Sequence, residues 1–163
     1  MLGPGKYTIV NIEKCAAAEL YPSGMNVEVH RVNRSHVAFT FTVHFDRDIN
    51  EFVSIRIDIC KYVDGGCKPY QTLVDESAIR FCEKYAKKNV ETGLSMADIE
   101  NWPILAGDYT VDDYIFNLDE LPEKGMYGDF IAKSYLLMEG VEFACVQVAV
   151  KFEKCDDEDG DDD

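Results

Sequence analysis

Two neighbouring segments of the chain alternate strictly between apolar and polar residues. In segment 36–46 the apolar face comprises Val37, Phe39, Phe41, Val43 and Phe45. In segment 51–62 the same alternation gives a face of Val53, Ile55, Ile57 and Ile59. A period of two residues is that of a β-strand, because successive side chains point to opposite faces. The pattern predicts adjacent antiparallel strands with one face toward a core and the other toward water.

Less regular patterns predict strands elsewhere in the chain. β-branched and aromatic residues recur there between turn-forming residues, as is typical of strands. Glu139-Gly140 separates the last two of these segments by two residues, the length of a tight hairpin connection. The additional predicted strands span 7–15, 26–32, 108–118, 127–138 and 141–154.

A different periodicity marks the middle of the chain. Apolar residues recur at spacings of three and four over 78–86, which predicts one amphipathic helix ending near residue 89. Asp75 or Ser77 is a candidate cap for its first turn. The polar segment 91–101 predicts a connection, with at most a further turn of helix.

About seven short strands with one helical insertion predict an all-β, mostly antiparallel fold. The arrangement expected is an immunoglobulin-like two-sheet β-sandwich or β-cup with one short helix insertion. Residues 1–155 are expected to form one domain, since no internal repeat or second domain is visible. Residues 156–163 contain only Asp, Glu and Gly, which predicts a disordered acidic tail.

The charge of the chain argues against polyanionic partners. The 163 residues carry a formal net charge of −15, and seven of the acidic side chains lie in 156–163. Such a surface repels phosphate backbones and anionic lipid headgroups, so nucleic-acid binding is not expected. No run of 18 apolar residues is present, so no integral membrane segment is predicted. The chain also shows no signal peptide.

The six cysteines indicate disulfides more than metal binding. Cys60 and Cys67 flank a short loop that a disulfide can close, and no second close pair completes a zinc-site pattern. Disulfides imply a secreted or extracellular protein, or one of the lysosomal lumen, whose signal peptide is absent from this chain. Asn33 begins an Asn-x-Ser glycosylation motif, which fits export.

No catalytic or metal-binding pattern accompanies this scaffold. His36 and His44 share one strand face but are eight residues apart, too far to ligate one metal together. The chain has no nucleophile elbow of the G-x-S-x-G type, and its acidic tail lacks the spaced ligands of a calcium loop. We therefore expect no enzyme activity, no metal and no cofactor.

Several short motifs, taken in order, resemble the ML (lipid-recognition) group, especially the branch of the ganglioside activator protein and its secreted arthropod relatives. Each motif is weak alone, and their order and spacing carry the resemblance over roughly residues 7–152. They are the Cys60/Cys67 pair before a helical segment, Trp102-Pro103-Ile104-Leu105-Ala106-Gly107-Asp108-Tyr109, Leu121-Pro122, Gly125-x-Tyr127, and Ala144-Cys145-Val146-Gln147-Val148.

The resemblance implies the disulfides Cys60–Cys67 and Cys15–Cys145. One departure concerns Trp102, because the family usually has a cysteine before the proline that follows it. Cys82 and Cys155 are left over, and three alternatives stay open for them: pairing with each other, remaining free, or linking two chains as a homodimer. Two positions for Trp102 also stay open, at the rim of a ligand cavity or as an apolar plug.

The resemblance implies a carrier that binds a lipid, fatty acid, sterol or similar small hydrophobic molecule between its sheets. The alternative is a non-enzymatic interaction or structural module in which the same apolar faces fill a closed core. The residues expected to line the cavity are Phe39, Phe41, Val43, Ile55, Ile57, Trp102, Val111, Leu136, Val148 and Val150.

Overall fold

A computed structural model describes residues 2–34 and 36–155. The predicted acidic tail, 156–163, lies outside the described residues, as does Ser35 of the glycosylation motif. The strands are β1 Leu2–Pro4, β2 Lys6–Lys14, β3 Gly24–Arg31, β4 Val37–Phe45, β5 Val53–Val63, β6 Gly66–Asp75, β7 Gly107–Tyr114, β8 Lys124–Met126, β9 Gly128–Met138 and β10 Val141–Glu153, and the helices are α1 Ala78–Tyr85 and α2 Lys87–Met96.

Two antiparallel sheets form the body of the fold. The larger has the strand order β2-β10-β9-β5-β6, and the smaller has the order β3-β4-β7. β1 and β8 pair separately as a short ribbon. This arrangement confirms the predicted all-β, mostly antiparallel fold. The β9–β10 turn is Glu139-Gly140 as predicted, and both residues have positive φ values of 52° and 80°.

The register of the strands places the two alternating apolar faces on the interior. Ile55 of β5 lies opposite Leu136 of β9, and Val43 of β4 lies between Met25 of β3 and Tyr109 of β7. These apolar positions form the inner faces of the two sheets, while the intervening polar residues point outward. The period-two pattern therefore predicted the inward faces of both strands correctly. The expectation that these two segments are adjacent strands was wrong, because β4 and β5 belong to different sheets and do not pair with each other.

A β-bulge in β10 changes which residues of that strand face inward. Glu142 is opposite Leu137 and Ala144 is opposite Leu136, so Phe143 is the extra residue between them. Its side chain is only 1% exposed. A bulge puts two residues opposite one and shifts the alternation by one position. Both Phe143 and the even-numbered residues from Ala144 onward can therefore face the interior.

The main packed core lies at the end of the sandwich where β5 and β10 begin. It contains Ile49, Val53, Ile55, Ala78, Ile104 and Phe143. Ile49 and Ile104 are joined by a two-way backbone bridge, with N–O distances of 2.7 and 3.1 Å. Ala78 brings α1 to this core, and the Ser77 hydroxyl accepts the Arg80 N–H at 3.1 Å as the helix cap.

The structure differs from the sequence prediction in three respects. β6 was not predicted, because as an edge strand it leaves residues such as Val74 (70% exposed) in solvent and shows no clear alternation. The prediction of one helix ending near residue 89 was wrong, since α1 ends at Tyr85 and α2 follows over the segment expected to be mainly a connection. The short β1–β8 ribbon was also missed.

Two disulfides join the cysteine pairs that the family resemblance implied. Cys15 and Cys145 have a Cα–Cα distance of 5.8 Å, and Cys60 and Cys67 one of 5.4 Å. Cys82 and Cys155 are free. Burial raises the pKa of the Cys82 thiol to about 11, so this thiol stays protonated and weakly reactive at neutral pH.

The two disulfides should differ in their contribution to stability. The sequence separations are 130 residues for Cys15–Cys145 and 7 for Cys60–Cys67. By loop-closure entropy, removing the first should lower the unfolding free energy by about 5 kcal/mol and removing the second by about 2.5 kcal/mol. Urea denaturation of the Cys15→Ser/Cys145→Ser and Cys60→Ser/Cys67→Ser double variants measures this difference. Equal losses would contradict the entropic account.

Candidate ligand-binding cavity

The inward-facing side chains at the middle of both sheets are only partly buried. In a closed sandwich the two inner faces interdigitate and such residues lose nearly all their accessible surface. Here the accessible surface persists on inward-facing positions of both sheets. The partly exposed residues include Val27, Phe41, Val43 and Phe45 on the smaller sheet and Ile57, Ile59, Val146, Val148 and Val150 on the larger.

A cavity of about 260 Å³ occupies part of this space. Residues of both sheets line it, so it lies between the sheets rather than on an outer face. Its wall is almost entirely apolar, and Ser134 supplies the one inward hydroxyl from the middle of a strand. The main lining side chains are Met25, Val43 and Phe45 from the smaller sheet and Ile55, Leu136 and Ala144 from the larger.

An aromatic cluster fills the interior along β4 beyond the cavity. Phe39 is 3% exposed, and its ring centroid lies 5.5 Å from that of Phe116 in an edge-to-face arrangement. Phe116 makes a second edge-to-face contact with Tyr114 at 4.8 Å, and Phe41 borders the same cluster at 6.1 Å. The cavity therefore lies between this cluster and the packed core around Phe143.

The structure brings some of the predicted cavity residues together and separates others. Val43, Ile55 and Leu136 line the cavity. Phe39 and Phe41 belong to the aromatic cluster, Ile57 packs against the main core, and Val111 lies opposite Phe41 on β7. Val148 and Val150 lie farther along the inner face of β10, opposite Ala132 and Phe130.

Trp102 lies apart from the cavity. Its side chain packs against the main core. Its other side borders a polar external groove beside α2, which includes Glu83, Lys87 and Glu91. Of the two positions left open by the sequence, this one corresponds to the apolar plug.

Most of the residues that line the cavity, among them Phe45, Met25 and Ala144, were not among those predicted. Phe45 continues the apolar stripe of β4, so the alternation contained a signal for it. Met25 precedes the segment predicted as a strand, and Ala144 faces inward only because of the bulge at Phe143. No sequence pattern identified these two.

A polar network around the buried Ser23 holds the segment at the mouth of the cavity. Ser23 is 2% exposed, its hydroxyl donates to Asp46 Oδ1 at 2.6 Å, and it accepts the Asp46 N–H at 2.9 Å. The Ser23 N–H donates to the Phe143 carbonyl at 3.1 Å. Arg47 pairs with Asp46 at 2.7 Å, and its guanidinium lies 4.1 Å from the Phe143 ring centroid. The network joins the β2–β3 connection, β10 and the end of β4.

A second, polar groove of about 540 Å³ adjoins the cavity. His44 Nδ1 and Asp108 Oδ1 lie 2.7 Å apart in it, and Lys14, Glu19 and Tyr21 form other parts of its wall. The groove and the cavity share five residues, so the two spaces meet at the start of β3. The shared residues are Ser23, Gly24, Met25, Val43 and Cys145.

The described residues contain no cluster of three or more His, Cys, Asp or Glu that could hold a metal ion. Two of the three histidines pair singly with carboxylates, His30 with Asp113 at 3.4 Å and His44 with Asp108. The His36 ring contacts the side-chain oxygen of Asn33 at 3.2 Å. Asn33 of the glycosylation motif is exposed. No helix in the described part of the chain is both long and apolar enough to cross a membrane.

Comparison with known proteins adds no assignment. No family model matches the chain, and no curated protein matches it significantly. The cavity and the groove beside it are therefore interpreted from their own geometry and chemistry.

The network at the mouth should make stability depend on acid pH. Arg47 chiefly, and Ser23 to a smaller degree, lower the pKa of Asp46 below its ordinary value of 3.8. A carboxyl group with a lowered folded pKa stabilises the protein above its unfolded pKa, and this stabilisation is lost as pH falls through the folded pKa. The advantage of wild type over Asp46→Asn in unfolding free energy should be constant above about pH 5 and decrease below about pH 4.

Urea unfolding from pH 7 to pH 2.5 tests this expectation. Ser23→Ala is the control, because it keeps the Arg47 contact that lowers the pKa most and should retain most of the pH dependence. An Asp46→Asn variant whose deficit does not change with pH would contradict the role given to the carboxylate.

Proposed function

We propose that this protein is a non-enzymatic carrier that binds a lipid or another small hydrophobic ligand between its two β-sheets. The observation that supports this most directly is the apolar cavity of about 260 Å³, lined by residues of both sheets and meeting a polar groove. Concave sites with mostly apolar walls and a few polar groups are typical of small-molecule binding.

Apolar burial would supply the affinity. Each methylene transferred from water contributes about 0.8 kcal/mol before the costs of immobilising the ligand are subtracted. Because the space between the sheets is already present, a ligand there would need no large rearrangement of the sheets. The mechanism would be sequestration, in which the apolar part of the ligand enters the cavity and its polar end remains near the mouth.

The proposal includes export of the protein. Two disulfides fit an oxidising compartment, since such bonds persist in secreted proteins and are reduced in the cytosol. The resemblance to the ML group points in the same direction, because its members are secreted or lysosomal lipid-binding proteins.

A second candidate is a protein-interaction module. Large apolar side chains are exposed near the start of β5 and β10 and in the β2–β3 connection, namely Phe52 at 71%, Val141 at 64% and Leu20 at 77%. Such residues can mark a protein contact. In this alternative the cavity would stay empty, and the protein would bind no hydrophobic probe.

A cavity-filling substitution separates the two candidates. Ala144→Leu adds three carbons inside the cavity and should weaken binding of the fluorescent probe N-phenylnaphthylamine about tenfold or more, because it takes up apolar space worth roughly 0.8 kcal/mol per methylene. Ala149→Leu is the matched control, since Ala149 lies on the outer face of the same strand, opposite Ile131. It should leave binding unchanged.

Probe titration by fluorescence provides the measurement, and native mass spectrometry of the purified protein tests for a co-purified ligand. Absence of probe binding, or equal effects of the two alanine substitutions, would favour the interaction module.

A further inference from the structure

We propose that the ligand is a medium-chain amphiphile, with a tail of about eight to ten carbons in the cavity and a polar head without negative charge in the groove beside His44 and Asp108. This inference rests on the carrier function proposed above and specifies the chemical class of its ligand. It draws on the size of the cavity, its junction with the groove, and the charges around that groove.

The cavity volume limits the length of the tail. A methylene takes up roughly the volume of a water molecule, about 30 Å³ in the liquid. A cavity of about 260 Å³ then holds about nine such groups. The aromatic cluster around Phe39 and Phe116 and the core around Phe143 flank this space on either side. A chain of fourteen or more carbons would exceed the cavity and leave part of its length outside it.

The point where the cavity meets the groove determines how the ligand is oriented in the site. The cavity and the polar groove meet at Gly24 and Met25, at the start of β3. Met25 belongs to the inner face of the smaller sheet with Val43, whereas Gly24 is opposite His44 on the outer face. An amphiphile passing this edge would have its tail against Val43 and Leu136 and its head near His44.

The charges of the groove disfavour an anionic head. Lys14 and Glu19 bring one charge of each sign, and Asp108 adds a second carboxylate, 2.7 Å from His44. Tyr21 donates its hydroxyl to Glu142 at 3.1 Å, and Glu142 also pairs with Arg56. A carboxylate head would be repelled by Glu19 and Asp108 in a chain of net charge −15, whereas a cationic head would meet the same two carboxylates beside Lys14.

An uncharged head avoids the repulsion that a carboxylate would meet. A hydroxyl or amide can donate to and accept from these side chains, and it loses far less hydration than an ion on entering the site. The groove therefore suits alcohols, amides and esters better than free fatty acids.

Gly24 offers a way to obstruct the junction without disturbing the fold. A Cβ added there meets no heavy atom within 4 Å, and the residue does not have a positive φ that would strain a side chain. Gly24→Phe should therefore fold and place a ring over the groove beside His44. Gly93→Phe is the matched control, because its Cβ also meets open space, on α2 and outside both the cavity and the groove.

The experiment is displacement of bound N-phenylnaphthylamine from the full chain by four competitors: decanol, decanoate, decyltrimethylammonium and tetradecanol. Decanol should compete at least tenfold more strongly than decanoate, and decyltrimethylammonium should also compete more strongly than decanoate. Tetradecanol should compete no more strongly than decanol, because its additional methylenes stay outside the cavity. Gly24→Phe should weaken decanol binding at least tenfold, while Gly93→Phe should leave it unchanged.

The outcomes distinguish this inference from the carrier function itself. Probe binding with decanoate or tetradecanol as the strongest competitor would overturn the inference and leave the carrier function in place. An unaltered decanol affinity in Gly24→Phe would overturn the placement of the head. Failure of the wild-type protein to bind the probe would overturn the carrier function and the inference together.

Discussion

The geometry of the interior depends on the bulge that turns Phe143 into the core. The extra residue between Glu142 and Ala144 lets β10 contribute a large ring to the packed end of the sandwich, and a small methyl group to the cavity wall next to it. The same residue accepts the Ser23 N–H through its carbonyl and lies beneath the Arg47 guanidinium. The core, the cavity and the mouth therefore share one backbone irregularity.

Rigid packing at both ends of the interior explains how a space between the sheets can persist. Phe39, Phe116 and Tyr114 fill one side of the cavity with edge-to-face contacts, and the core around Val53 and Phe143 fills the other. Since both sheets are fixed where these clusters lie, the segment between them cannot close without loss of packing at the ends. Because the sheets stay apart in the middle, the side chains there lose the apolar burial that a close-packed interior would provide.

The polar residues of the mouth complete this arrangement. Ser23 is buried, and its hydroxyl both donates to and accepts from Asp46, so it holds the β2–β3 connection without leaving an unsatisfied side-chain polar atom. The Cys15–Cys145 disulfide lies beside it and ties the same connection to β10. Gly24 and Met25 follow directly on this anchored connection, where the cavity meets the groove.

The sequence by itself determined most of the strands and the direction of their faces, although β6 and the β1–β8 ribbon were missed. The strict alternation over β4 and β5 indicates strands, because the side chains of a strand repeat with a period of two. Glu139-Gly140 forms the two-residue turn wherever β9 pairs with β10. The motif resemblance also implied the pairs Cys60–Cys67 and Cys15–Cys145, both of which are present. These features depend on local chemistry or on short motifs.

Only the tertiary structure decided which apolar residues border a space and which fill a core. Val43 and Phe39 belong to the same stripe, but Val43 lines the cavity and Phe39 lies in the aromatic cluster. Trp102 stands where the ML group, which the sequence resembles, usually has a cysteine. It packs against the core beside the helices, away from the cavity. Alternation reports the face of a sheet and not the distance to the opposite sheet, because that distance is set by packing between residues far apart in the chain.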